Sequence, residues 1–489
     1  MGEFSQILLC IVLYLGVVML IGTWAGKRQK STVEDYYLGS QGVGVVVLIM
    51  TQAATIFSAF TFYGLPGSAY SSGLGIFGGL FIGSICMSFL FYIIGYRAWL
   101  IGQKYRSLLT PPELIYDRFG SRRLRDVFMW VSVAFVIPYL VIQPIGAGHA
   151  LNALSSGRIP YIVGSSLITL VIVFYVFYGG MRGGVLIDTF QGFLMFIFAW
   201  LALFIVAGAG EGYAKIMQQL GEKGLLARGV GYWTWKTSFS WAFLIAINTA
   251  MQPQIFTRFL IARNVDVFRK HFAFYSAMVF STFPVIFVGL LCSVLVPGIK
   301  QADQALATAL LKFAPPVMAG IFAAAGIAAM QSTADSQLLI VGSMVTNDLY
   351  KPYINPLASS QKQFWVARFI IIATAIVSWL LSLNPPKLLI MLGAAAFTGM
   401  AVLAPTGIAA FYWKRATAAG ALVSILLGEA YVIGYYINLV PKSWTFGFMP
   451  VVPAAFISTV ALIIVSLATK PPESDRIKRY FDIFEKVFK

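Results

Sequence analysis

Residues 51–67 read Thr51-Gln-Ala-Ala-Thr-Ile-Phe-Ser-Ala-Phe-Thr-Phe-Tyr-Gly64-Leu-Pro66-Gly67. The run lies in an apolar stretch, 42–71, yet its middle carries hydroxyls and an amide, with glycine and proline close behind. A second stretch, Asn248-Thr-Ala-Met-Gln252-Pro253-Gln254, sets a proline inside an apolar helix with amides on either side. Proline removes a backbone donor and clashes with the preceding turn, so both stretches predict helices that are broken part-way. Carbonyls freed at membrane depth are tolerated only when buried in protein or lining a cavity. A pair of ordinary proline kinks is the structural alternative.

The surrounding chain makes the membrane setting firm. Of 489 residues, 59% are hydrophobic and 11% charged, where soluble domains carry about 25% charged residues. The apolar residues fall into stretches of roughly 20, each able to cross about 30 Å of hydrocarbon. They read as 4–25, 42–71, 74–98, 128–153, 159–178, 187–209, 237–258, 272–297, 303–347 (a short helix, then a long one), 363–383, 387–412, 417–438 and 448–469. That predicts 13 transmembrane helices, an all-α polytopic membrane protein, with its termini on opposite sides. The first stretch follows Glu3, lacks a small-residue cleavage pattern and ends at Lys27-Arg28-Gln29-Lys30, so it reads as a retained helix rather than a signal peptide.

Loops after odd-numbered stretches, with the C-terminal tail, hold 25 of the 35 Lys and Arg; loops after even-numbered ones hold 9. The positive-inside bias then predicts an outside N-terminus and a cytoplasmic C-terminus in the cell (inner) membrane. This asymmetry also explains the net charge of +17 without a nucleic-acid partner. After Lys470-Pro471-Pro472, Ile477, Phe481, Phe484 and Phe488 recur at helical spacing among Lys478, Arg479 and Lys486, which predicts a basic amphipathic helix on the inner leaflet. No fused sensor or kinase module is expected beyond it.

Cys10, Cys86 and Cys292 sit in apolar stretches with no ligand spacing, and His149 and His271 are far apart, so none of them is assigned chemistry. Phosphate-loop, zinc-protease and nucleophile-elbow motifs are missing from the sequence. No enzyme constellation and no organic cofactor are therefore expected, and uphill transport would draw on an ion gradient. Asp188 follows Gly179-Gly180-Met181-Arg182-Gly183-Gly184 just inside a span, and Ser332-Thr333-Ala334-Asp335-Ser336-Gln337 lies mid-helix in the long ninth span. A carboxylate at bilayer depth costs about 2.5–3.5 kcal/mol, so each aspartate needs a partner. Sodium, a hard ion, suits hydroxyl, carbonyl and carboxylate oxygens of this kind. The bland alternatives are an ion pair of Asp188 with Arg182 or a helix-dipole acid, and small-residue packing for Ser332 and Thr333.

These residues resemble the sodium/solute symporter family of proline, pantothenate, monocarboxylate, sialic acid and sugar symporters. The likeness rests on Gly64-Leu-Pro-Gly67, Gly179-Gly180 through Asp188-Thr-x-Gln191, Gln252-Pro253 through Arg258-Phe259, Ser332-Thr333 through Gln337-Leu-Leu339, Asp348-Leu-Tyr-Lys351 and Gly393-Ala-Ala-Ala-Phe397. It implies a LeuT-like five-plus-five inverted-repeat core with two broken helices. The parts would be 1–40 (extra helix and cytoplasmic loop), 41–210 and 236–413 (the two repeats), 414–470 (two peripheral helices) and 471–489 (the tail). By the same resemblance the principal sodium site would be Ala54, Phe57, Ala329, Ser332 and Thr333. A second cation site would be Asp188, Asp335 and Ser336; family members with a second sodium usually carry a small hydroxyl residue where Asp335 stands. Phe60, Tyr139, Gln143, Asn248 and Gln252 would meet the solute. Ile245 and Thr249 stand where proline-type members have aromatics, and Ser58 to Gly67 looks closest to monocarboxylate-type members. The expectation is a monomeric sodium-coupled symporter of a small organic solute such as lactate or pyruvate, working in a lipid bilayer by alternating access. Alternatives are a proline, amino-acid or pantothenate sodium symporter, a proton-coupled symporter using Asp188 or Asp335, a substrate-sensing receptor and a channel.

Overall fold

The computed structural model describes residues 2–27, 43–105, 108, 110–209, 212–226, 232–249, 251–280, 282–386 and 388–488, and the expected cytoplasmic loop at 28–40 lies outside them. The described residues are helical, and their one isolated bridge joins Val43 to Ala262. In chain order the helices are α1 (Glu3–Lys27), α2 (Val45–Ile56), α3 (Phe60–Ser72, opening with a π turn), α4 (Gly75–Lys104), α5 (Pro111–Phe119), α6 (Arg122–Leu154) and α7 (Tyr161–Gly208). There follow α8 (Tyr213–Glu222), α9 (Trp235–Thr249), α10 (Pro253–Leu260), α11 (Val265–Val279), α12 (Thr282–Leu295), α13 (Ala305–Phe313) and α14 (Pro316–Met344). The last are α15 (Ser360–Leu381), α16 (Leu389–Val402), α17 (Ala404–Tyr412), α18 (Ala418–Tyr436), α19 (Val451–Ala468) and α20 (Ser474–Phe488).

Among the described residues, nine helices are long and apolar enough to cross a membrane, or ten if the bent pair α2–α3 counts as one crossing. The difference from thirteen has local causes. The expected fifth and sixth spans form one run, α7, interrupted only at Gly180, whose φ of 49° and ψ of −152° suit a residue without Cβ. The seventh and eighth are divided into pieces too short to span alone, and in the ninth the short α13 stands apart from α14.

The central helix α14 is apolar at both ends and polar in the middle (Gln331 to Gln337), yet it is buried over nearly its whole length. It packs against α1, α2, α6, α7 and α15. Outer helices keep one apolar face open: Leu20, Leu170, Phe369 and Phe456 are all exposed, as lipid-facing residues are.

The breaks fall where tertiary partners, and not only proline, allow. In the first, α2 ends at Ile56 and Phe57 is extended (φ −73°, ψ 110°), nine residues before Pro66; α2 and α3 meet at 62°. Pro66 is instead an early residue of the α-helical part of α3, where its missing N–H costs nothing. Pro253 plays that part at the start of α10, so it starts the second half of the broken helix.

The tail helix does not present its apolar face to a leaflet. Tyr480, Phe481 and Phe484 are buried against the protein, and the Tyr480 hydroxyl donates to Leu114 O of α5 (3.1 Å). Arg479 pairs with Asp117 of α5 at 2.9 Å, and Lys414 reaches Glu485 at 2.6 Å. A protein groove competes with lipid for this apolar face and covers it at Phe481 and Phe484. The side chains of Lys486 and Phe488 lie outside the described residues.

Candidate solute and cation site

The break after α2 exposes backbone oxygens at the bundle centre, and α14 supplies the hydroxyls that face them. Ser332 Oγ donates to Ala54 O (2.8 Å) and lies 2.9 and 3.2 Å from Ala328 O and Ala329 O of its own helix. Thr333 Oγ1 lies 3.1 Å from Thr55 O and 3.2 Å from Phe57 O. All five residues of the expected principal site therefore converge, every one buried. A hydroxyl carries one donor and two lone pairs, so these side chains can bond the carbonyls as seen or turn their lone pairs toward a cation.

The other side of the break is held by Gln143 of α6. Its Oε1 accepts from Ala59 N at 3.1 Å, and its Nε2 donates to Tyr139 O at 3.1 Å. Leaving a buried backbone N–H unpaired costs about 1–3 kcal/mol, which makes Gln143 a brace of the break. It does not line the cavity beside it.

That cavity, about 50 Å³, is lined by Phe57, Phe60, Thr61, Tyr139, Ile245, Thr249, Gln252 and Phe397, with others. Phe60, Tyr139 and Gln252, expected to meet the solute, all lie on this lining. Phe397 packs edge-on against Tyr139 (centroids 4.8 Å apart) and Phe60 (5.3 Å). Gln252 Oε1 accepts from Gln254 Nε2 at 2.9 Å. Asn248 is off the lining, and its buried amide has no hydrogen-bond partner among the described residues. Phe57 belongs to both parts: its carbonyl faces Thr333 and the residue lines the cavity.

Asp188, Asp335 and Ser336 are also drawn together, but with a cation already among them. Arg258 of α10 places Nη2 2.8 Å from Asp188 Oδ2 and 2.6 Å from Ser336 Oγ. Its Nε is 3.3 Å from Thr55 Oγ1, and Nη1 meets Met181 Sδ. Thr51 Oγ1 donates to the same Asp188 oxygen at 2.8 Å. Asp335 Oδ1 accepts from Ser336 Oγ (3.0 Å) and Oδ2 from the Tyr175 hydroxyl (3.2 Å). Asp188 does find an ion-pair partner, but it is Arg258, which by sequence counts among the cytoplasmic-loop cations and in the structure is fully buried.

Sequence reasoning missed Thr51, Thr55, Tyr175 and the role of Arg258. Thr51 and Thr55 are four apart, hence on one helix face, and that spacing was a usable signal. Nothing local marks Tyr175; it becomes polar-core only because α7 packs on α14, where Tyr14, Gln191 and Gln331 extend the same network.

The sodium/pantothenate symporter of Escherichia coli (strain K12) is 30% identical over 486 residues, covering 94% of this chain and 96% of the relative. The osmoregulated proline transporter OpuE of Bacillus subtilis (strain 168) is 26% identical, covering 99% of both chains. Among solved structures, a substrate-bound, outward-open sodium-coupled sialic acid symporter superposes with a TM-score of 0.80 at 21% identity, over 96% of this chain and 99% of that one. A nucleobase-cation-symport-1 family transporter in a closed conformation gives 0.62 at 14% identity, over 92% and 98%. The profile of the sodium:solute symporter family matches residues 36–428. With four-fifths of its length so matched, this multi-pass membrane chain belongs to the sodium:solute symporter family, whose members are transporters and not enzymes.

Proposed function

We propose that the protein is a sodium-coupled symporter of a small monocarboxylate that works by alternating access. The observation that carries this reading is the convergence of Ala54, Phe57, Ala329, Ser332 and Thr333 at the α2 break, beside a cavity that shares Phe57. One sodium there would tie carbonyls of α2 to hydroxyls of α14 and so order the wall of the solute cavity. The lining named above is neutral, so a carboxylate would be met by hydroxyl and amide donors such as Thr61, Thr249 and Gln252. Solute release would follow when loss of sodium frees α2 from α14.

Several finer features belong to the same reading. They are thirteen crossings, two five-helix inverted repeats in 41–210 and 236–413, an outside N-terminus, a cytoplasmic C-terminus in the bacterial inner membrane, and a monomer that needs sodium and no organic cofactor. A sodium ion crossing 100 mV carries about 2.3 kcal/mol, which at 1.4 kcal/mol per tenfold is roughly 40-fold accumulation of a neutral solute. A monoanion moving with one sodium is electroneutral and relies on the sodium gradient alone.

A second reading, pantothenate as the solute, is favoured by the 30% identity to the Escherichia coli sodium/pantothenate symporter. Pantothenate is itself a monocarboxylate, so the two readings differ in the solute's body and share its head. Thermal melts of the purified protein in sodium chloride and in choline chloride at equal ionic strength test the ion. Lactate, pyruvate, pantothenate and proline, each added in both salts, test the solute. A sodium-dependent rise with one of the first three supports the proposal; a rise with proline alone, or with none in either salt, rejects it.

A further inference from the structure

We propose that Arg258 is a tethered cation that fills the second cation position beside Asp188 and Ser336, so that the transporter binds one sodium and not two. The inference rests on the sodium-coupled reading above and fixes its stoichiometry. Of the oxygens expected to hold the second cation, those of Asp188 and Ser336 already bond the guanidinium, with Nη2 2.8 Å from Asp188 Oδ2 and 2.6 Å from Ser336 Oγ. The adjoining Thr55 Oγ1 is 3.3 Å from Nε, and Asp335 joins the group through Ser336.

Three properties make the occupant hard to displace. Arginine does not give up its proton in proteins, so the positive charge is permanent. Its planar fork donates to several oxygens at once, and here both side chains of the ion pair are fully buried. It is also covalently attached, so it never dilutes away as a free ion does; vacating the position requires its buried side chain to swing out or α10 to move. The residues therefore do not fit a second sodium while the guanidinium is in place.

Asp188, Asp335 and Arg258 form one contiguous network through Ser336.

The test is equilibrium binding of radioactive sodium to the purified full chain, counted per protein molecule, which needs no solute. One ion per wild-type chain, with a first-order saturation curve, is the expected result. Arg258→Gln removes the occupant and should bind a second ion, while Arg258→Lys keeps a cation in place and should stay at one. Two ions per wild-type chain overturn the proposal, as does a folded Arg258→Gln protein that still binds one. If Arg258→Gln does not fold, the wild-type count alone decides. No sodium bound by wild type rejects the sodium reading as well, an outcome distinct from two.

Discussion

Replacing Thr333 by alanine removes one of five converging oxygens and little else. Its Oγ1 lies 3.1 Å from Thr55 O and 3.2 Å from Phe57 O, in a fully buried position. Polar contacts to a charged partner contribute about 1.5–3 kcal/mol, so losing this oxygen should weaken sodium binding by roughly 10- to 150-fold. At sodium about one hundred times Kd, the wild type gains about 2.7 kcal/mol from binding. A 30-fold weaker site would gain only about 0.9 kcal/mol at that concentration. The variant will also melt lower without sodium, because two carbonyls lose a partner. The informative quantity is therefore the difference between melting temperatures in sodium and in choline, expected to shrink to about a third. Thr333→Ser keeps the hydroxyl and should retain most of the difference. An undiminished sodium effect in Thr333→Ala would refute the assignment of Thr333 to the ion.

Three further outcomes follow from packing and burial. A Cβ at Gly289 of α12 would stand 2.2 Å from Pro66 O and 2.5 Å from Pro66 Cα. Backbone cannot yield as a side chain can, so Gly289→Ala should cost about 1–3 kcal/mol or more, seen as a lower melting temperature or lost expression. Phe481→Ala opens the groove under α20 and should destabilise by up to about 3–5 kcal/mol; limited proteolysis should then cut the tail while the wild type resists. The ninth expected stretch begins at 303, but in the structure Asp303 lies in the short turn before α13, outside the helices of membrane-crossing length; there burial pushes its carboxyl up to about 7, partly offset by the hydrogen bond from Leu389 N (2.9 Å). A carboxyl raised in the folded state favours folding while protonated, so its contribution is present at low pH and is lost as pH rises through about 7. Asp303→Asn should flatten that part of the stability–pH curve, and an unchanged slope would place the titration elsewhere.

The sequence by itself determined the class and named much of the candidate site. Apolar stretches of bilayer length with few charges can only be membrane helices, because backbone polar groups must pair internally in lipid. Polar residues clustered in such stretches are costly enough to stand out, which is why Ser332, Thr333, Asp188 and the 51–67 run were legible as candidates; Phe60, Tyr139 and Gln252 entered through the resemblance to a family. Tertiary structure decided what those residues meet. The first break sits at Phe57, well before Pro66, because Gln143, Ser332 and Thr333 satisfy its freed groups from other helices. The tail lies on protein and not on lipid because α5 and neighbouring segments offer its aromatics a groove. The cation beside Asp188 is Arg258, 70 residues along the chain. Local pattern records which residues are expensive to bury; which partner offsets that cost depends on contacts between helices remote in sequence, and those exist only once the bundle has packed.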